Sequence, residues 1–224
     1  MPARLRPTAP MAPDAILVGD PGRALLLAQE LLEKPKMSNH ARGLWGYTGH
    51  TPTGNGLTIQ ATGMGGPSAV IVLTDLAELG AKRVVRVGTC TAFGAEAQPG
   101  ELLLIGAARA TAGSAASFGL VAGDTVSPDQ PLSERLGGEL GTEARVVTVA
   151  SLDTMPVGVA EVGGAAAADM QTLAVLARAG ALEIAAAAVL VVAEAEGHER
   201  LDDEKMEVAA VRAGKAAAKT LSNP

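Results

Sequence analysis

An alternation along the chain constrains the fold more than any other feature. Apolar, strand-like runs recur at residues 15–18, 57–61, 83–87, 102–105, 145–150 and 184–192, and runs with helical spacing fall between several of them. Asp20 is placed to cap a helix that has Pro21 at its first position and runs to about Leu32. A second helix opens at Pro67 or Ser68 and stops at Gly80, and a third spans about 171–178 before Gly180. The last, about 202–221, carries acids in its first turn and lysines in its final turns, which suits the helix dipole. Strands alternating with helices predict an α/β protein in three layers, α/β/α, around a central mixed sheet.

The composition agrees with this. Hydrophobic residues make up 48% of the chain and aromatics only 2%, so the core must be Ala, Val, Leu and Ile, as where helices cover a buried sheet. No linker rich in Ser and Gly divides the 224 residues, so 14–224 reads as one domain. Residues 1–13 form a Pro-broken arm, expected to be disordered or to contact another subunit. Residues 106–131, rich in Gly, Ala and Ser, read as a long functional or mobile connection. A net charge of −6 without a basic cluster argues against nucleic acid as a partner. The longest apolar stretch, 184–193, is too short to span a bilayer, and the N-terminus lacks the apolar region of a secretory signal. A single cysteine, Cys90, suits a reducing compartment, so the expected location is cytoplasmic. Three scattered histidines, His40, His50 and His198, lack metal-ligand spacing, and no metal is expected.

Four segments carry candidate chemistry. Gly19-Asp20-Pro21-Gly22-Arg23 follows the first strand and reads either as a plain strand–helix turn or as backbone N–H groups set beside a guanidinium for a small oxyanion. Gly63-Met64-Gly65-Gly66-Pro67-Ser68 lets backbone approach a ligand at a helix start, and matches neither the dinucleotide fingerprint nor a Walker A loop. Arg86 lies inside a buried strand run, where it needs either an internal carboxylate or a bound anion. Thr89, just past Gly88, stands where a strand-end hydroxyl would bind phosphate, whereas Cys90 has no His near it in sequence and reads as packing. The fourth segment, residues 38–49, holds Arg42 beside the chain's only Trp and Tyr in a hairpin-like stretch.

In order and spacing these segments resemble the nucleoside phosphorylases, the family of the hexameric purine nucleoside phosphorylases and the uridine phosphorylases. The match is close from about Ile16 to Ile105 and looser beyond. The resemblance implies a partly barrel-like sheet and a phosphate site made of Gly19, Arg23, Arg86 and Thr89, with Arg42 reaching in from a neighbouring subunit. It implies a homo-oligomer whose minimal unit is a dimer, with a trimer of dimers as the larger form. It implies a nucleoside and phosphate as ligands, phosphate serving as co-substrate with no other cofactor. Met64, Thr89, Met155, Asp169, Met170, Gln171 and Glu194 then fall on the ribose and base side, with Arg86 and Glu194 in catalytic roles.

The second half departs from the family pattern. Asp169-Met170-Gln171 stands where the family has Glu-Met-Glu, so the residue expected to hold the ribose hydroxyls brings no charge. If weak ribose anchoring is the consequence, Gln171→Glu raises activity. Glu194 replaces the expected Asp at the end of the last long strand, Ala193 the Ser before it, and Lys205 falls near the position of the partner Arg. The base-side aromatic aligns with Met155 or Pro156, the Gln-x-Arg pair of uridine phosphorylases has no counterpart, and neither His40 nor His50 aligns with the His lent to a neighbour's ribose. The expected reaction is phosphorolysis of a nucleoside. A hydrolytic nucleosidase and a non-catalytic nucleoside- or phosphate-binding relative are the alternatives.

Overall fold

The computed structural model of the protein describes residues 4–94, 97–111, 113–155 and 162–223. In chain order the elements are β1 (Asp14–Val18), α1 (Pro21–Leu31), β2 (Glu33–Asn39), β3 (Gly46–His50), β4 (Gly56–Ala61), α2 (Gly66–Glu78), β5 (Arg83–Ala92) and β6 (Leu102–Ala110). There follow β7 (Thr125–Val126), α3 (Gln130–Leu140), β8 (Ala144–Ser151), β9 (Ala167–Asp169), α4 (Thr172–Ala181), β10 (Ala185–Ala195) and α5 (Asp203–Ser222).

The ten strands of the described residues join one mixed sheet in the order β10-β6-β8-β9-β5-β1-β4-β3-β2, with β7 on β6. Because β10 also pairs with β5, strands β5, β10, β6, β8 and β9 close into a five-membered ring, and β1, β4, β3 and β2 extend from it as an open wing. Parallel pairs join β1 to β4 and β5, and β5 to β10, so these strands end on the same side. Side chains alternate between two cores. Leu17, Val84 and Leu190 pack with α2 and α4, whereas Ile16, Val85 and Val189 pack with α1, α3 and α5. The three-layer α/β/α arrangement with a partly barrel-like sheet therefore holds.

Several elements differ from the sequence expectation. Residues 106–131 are not one connection: β6 continues to Ala110, with Ala108 and Ala110 buried, and α3 opens at Gln130. Helix α3 carries Leu132, Leu136 and Leu140 on one buried stripe, a pattern masked by Gly137 and Gly138. A Cβ at Gly137 would stand 3.0 Å from Leu104 Cδ2, so the missing side chain lets the helix approach β6. Strand β2, Glu-Lys-Pro-Lys-Met-Ser-Asn, has no apolar alternation because it is an edge strand, where Lys and Pro are at home. From Arg4 onward the N-terminal arm lies on the domain itself. Leu5 is buried, and a carboxylate oxygen of the buried Asp75 accepts from the backbone N–H groups of Arg4 and Leu5, both at 2.7 Å. Among the described residues, no helix is long and apolar enough to cross a membrane.

Candidate functional site

The turn after β1, the loop after β4 and the ends of β5 and β10 surround a cavity of about 480 Å³. Asp20 caps α1 as its sequence implies, its carboxylate accepting from Arg23 N–H at 2.8 Å. This cap holds Gly19 and Arg23 at the cavity wall. The Arg23 guanidinium makes no hydrogen bond among the described residues. Burial pulls its pKa below the ordinary arginine value, with Asp20 opposing and the nearby Arg86 adding to the drop. A desolvated cation beside a second cation favours a negative charge between them.

Arg86 resolves the choice left open by the sequence in favour of an internal carboxylate. Its Nη2 lies 2.9 Å from Asp169 Oδ2, Nη1 donates to Gln171 Oε1 at 2.8 Å, and Nε donates to Thr172 Oγ1 at 3.1 Å. Those bonds use three of the five guanidinium N–H groups, so two remain for a ligand in the cavity that Arg86 lines. Gly88 makes this pose possible, since a Cβ there would sit 2.6 Å from Arg86 Nη2 and 2.7 Å from Leu190 Cδ2. Asp169 is in turn held by Thr172 N–H and by the hydroxyls of Thr172 and Ser151. With both carboxylate oxygens bonded, the buried ion pair is a rigid mount for the arginine.

Gln171 is 3% exposed and bonded on both sides of its amide. Its oxygen accepts from Arg86 and from Thr62 Oγ1 at 3.0 Å, and its nitrogen donates to Gly63 O at 2.6 Å and Gly65 O at 3.2 Å. The Gly63–Gly65 loop needs its glycines: both have positive φ, 71° and 80°, and a Cβ at Gly63 would stand 2.8 Å from Ser68 Oγ. Met64 is thereby held outward at the cavity, 88% exposed.

On the far end of β10, pairing with β5 shifts register between Val192 and Glu194, so Ala193 is an extra residue. Such a bulge re-aims the next side chain, here Glu194, which lines the cavity with Thr89, Met155, Asp169 and Met170. Glu194 pairs with Arg200, 3.7 Å away, and not with Lys205, which is bound to Asp202 at 2.8 Å. Lys205 belongs to the cap of α5, where an i, i+3 partner in the first turn outcompetes a more distant carboxylate. Cys90 touches the cavity, but burial pushes its thiol far above the ordinary value, so it stays protonated and inert.

Ten of the eleven residues expected on the phosphate, ribose and base sides thus meet at one cavity. Arg42 does not: it is exposed, at φ 61° in the turn Ala41–Gly43, outside the cavity lining. Pro156 lies outside the described residues. Arg200, Thr62, Ser151 and Thr172 are the residues that sequence reasoning missed. Each is an unremarkable polar residue in sequence, and only the fold brings it to the cluster. Among the described residues no group of three or more His, Cys, Asp or Glu side chains is placed to hold a metal.

Known proteins share this architecture. The structure of a Toxoplasma gondii purine nucleoside phosphorylase in complex with immucillin-H superposes with a TM-score of 0.85 at 24% identity, covering 96% of this chain and 92% of that one. A uridine phosphorylase from Vibrio fischeri superposes with a TM-score of 0.83 at 22% identity, covering 96% and 93%. Among curated sequences, the DeoD-type purine nucleoside phosphorylase of Oceanobacillus iheyensis is 44% identical over 84 residues, 37% of this chain and 35% of that protein. That of Alkaliphilus metalliredigens is 39% identical over 95 residues, 42% and 40% respectively. The aligned part of the chain thus spans little more than a third of the length of these curated relatives. The model of the Phosphorylase superfamily, by contrast, matches residues 13–222, nearly the whole chain, and the protein belongs to that superfamily.

Proposed function

We propose that this protein catalyses phosphate-dependent cleavage of a nucleoside N-glycosidic bond, releasing free base and a pentose 1-phosphate. The observation that carries the reading is that one cavity holds an Arg23 guanidinium with no hydrogen bond among the described residues, a rigidly mounted Arg86 and the Thr89 hydroxyl together with Met64, Met155 and Glu194. Phosphate would take the free N–H groups of both arginines and the Thr89 hydroxyl, charge-assisted bonds that fix its orientation. Held in this way, a phosphate oxygen attacks the anomeric carbon as the bond to the base breaks. The dianion also offsets the positive charge that grows on the sugar. Glu194 is the acid assigned to the departing base, with Arg200 3.7 Å from its carboxyl. Phosphate is the co-substrate, with no further cofactor.

The same reading places Arg42 in a second copy of the chain. The hairpin turn that carries it is exposed and outside its own cavity, so its contribution would come across a homo-oligomer interface with a dimer as the minimal unit. A single buried, protonated cysteine accords with a reducing cytoplasm.

The test offers purine and pyrimidine nucleosides to the purified chain with and without inorganic phosphate and follows free base. Release that requires phosphate is the expected result. Release without phosphate would identify a hydrolase. Thermal stabilisation by phosphate with no cleavage would leave a binding protein.

A further inference from the structure

We propose that Gln171 is a positioning residue whose amide clamps the Gly63–Gly65 loop to Arg86, and that a carboxylate at this position breaks the clamp. The inference deepens the phosphorolysis reading and rests on it for its activity arm. Both halves of the amide are committed inside the protein. The oxygen accepts from Arg86 Nη1 at 2.8 Å and Thr62 Oγ1 at 3.0 Å, and the nitrogen donates to Gly63 O at 2.6 Å and Gly65 O at 3.2 Å. Three segments meet there: β5 through Arg86, the end of β4 through Thr62 and the start of α2 through the glycine loop. Only a side chain that accepts at one end and donates at the other satisfies all of them, and amides alone do this without a titrating proton.

The consequence reverses the effect expected from the sequence for Gln171→Glu. The new oxygen would face the Gly63 and Gly65 carbonyls, acceptor against acceptor, in a site 3% exposed. It would also set a second carboxylate beside Asp169 in competition for Arg86. The loop loses its tether and Arg86 is drawn from its mount, so the glycine loop and the anion-facing arginine shift together. Gln171 thus couples the Met64 side of the cavity to the phosphate side.

Gln171→Glu and Gln171→Met, the second similar in length but unable to form the clamp, are compared with the wild type for phosphorolysis, melting temperature and backbone hydrogen exchange across residues 62–66. In both variants exchange in the loop should speed by about tenfold or more, and the phosphate KM should rise by about tenfold, while the cooperative melt is retained. Unchanged loop exchange, or Gln171→Glu activity equal to or above wild type, overturns the clamp. If the wild type cleaves no nucleoside, the phosphorolysis reading fails on its own. Loop exchange then decides the clamp alone, faster exchange upholding it and unchanged exchange overturning it.

Discussion

Arg23 and Arg86 look alike in sequence but are mounted in opposite ways. Arg86 is held by Asp169, Gln171 and Thr172, so its truncation would strand a buried carboxylate. Arg23 has no such partner, and burial already disfavours its charge. Arg23→Met should therefore leave the melting temperature unchanged or raise it without phosphate, yet abolish the stabilisation that phosphate confers. A thermal-shift titration reads both signs. Gly88→Ala acts on the other arginine without touching it chemically. The new Cβ would stand 2.6 Å from Nη2, and the resulting strain should cost about 1–3 kcal/mol of stability, with weaker phosphate binding in the same titration. The motif Arg-x-Gly was legible in sequence. That its glycine makes room for its own arginine was not, because that contact depends on how Arg86 lays its side chain along β5 over the residue two positions on, on the same face of the strand.

At the level of elements, α1 was legible from its cap, Asp20, which accepts from Arg23 N–H, whereas α3 was hidden although Asp129 caps it in the same way, accepting from Leu132 N–H. What the sequence hid were elements stabilised by their neighbours rather than by their own pattern. Strand β9 is three alanine- and aspartate-bearing residues, defined only by pairing with β5 and β8, and it delivers Asp169 to Arg86. Arg83 shows how elements are tied at the other end of the sheet. It grips both oxygens of Asp14 on β1 at 2.8 Å, and donates to Leu221 O at 2.6 Å and Asn223 O at 2.7 Å past the last turns of α5. The hydrogen bonds to Asp14 raise its pKa, and the C-terminal carbonyls of a helix welcome a cation. Arg83→Ala should destabilise the protein by about 1–3 kcal/mol in urea titration and speed hydrogen exchange in the final turn of α5.

For the whole molecule, ring closure by the β5–β10 pairing matters most, because it brings Thr89 and Thr91 beside Val191 and Glu194 and so joins the anion wall to the rest of the cavity. Assembly of the chain is testable through Arg42. Chains carrying Arg42→Ala and chains carrying Arg23→Ala should each be weak alone, and mixing after subunit exchange should restore activity, since half the sites of a mixed dimer combine an intact Arg23 with an intact Arg42. No gain on mixing would place Arg42 outside the site. The amino-acid sequence alone determined the α/β class, the Asp20 cap of α1, the glycine turns and the cationic residues available for an anion, because each is a local property of spacing and side-chain chemistry. Tertiary structure decided which partner each group takes: Asp169 and Gln171 for Arg86, Arg200 rather than Lys205 for Glu194, and Thr62 for the clamp. The partners of Arg86 and Gln171 lie more than eighty positions away in the chain, and only the folded sheet brings them within hydrogen-bonding distance.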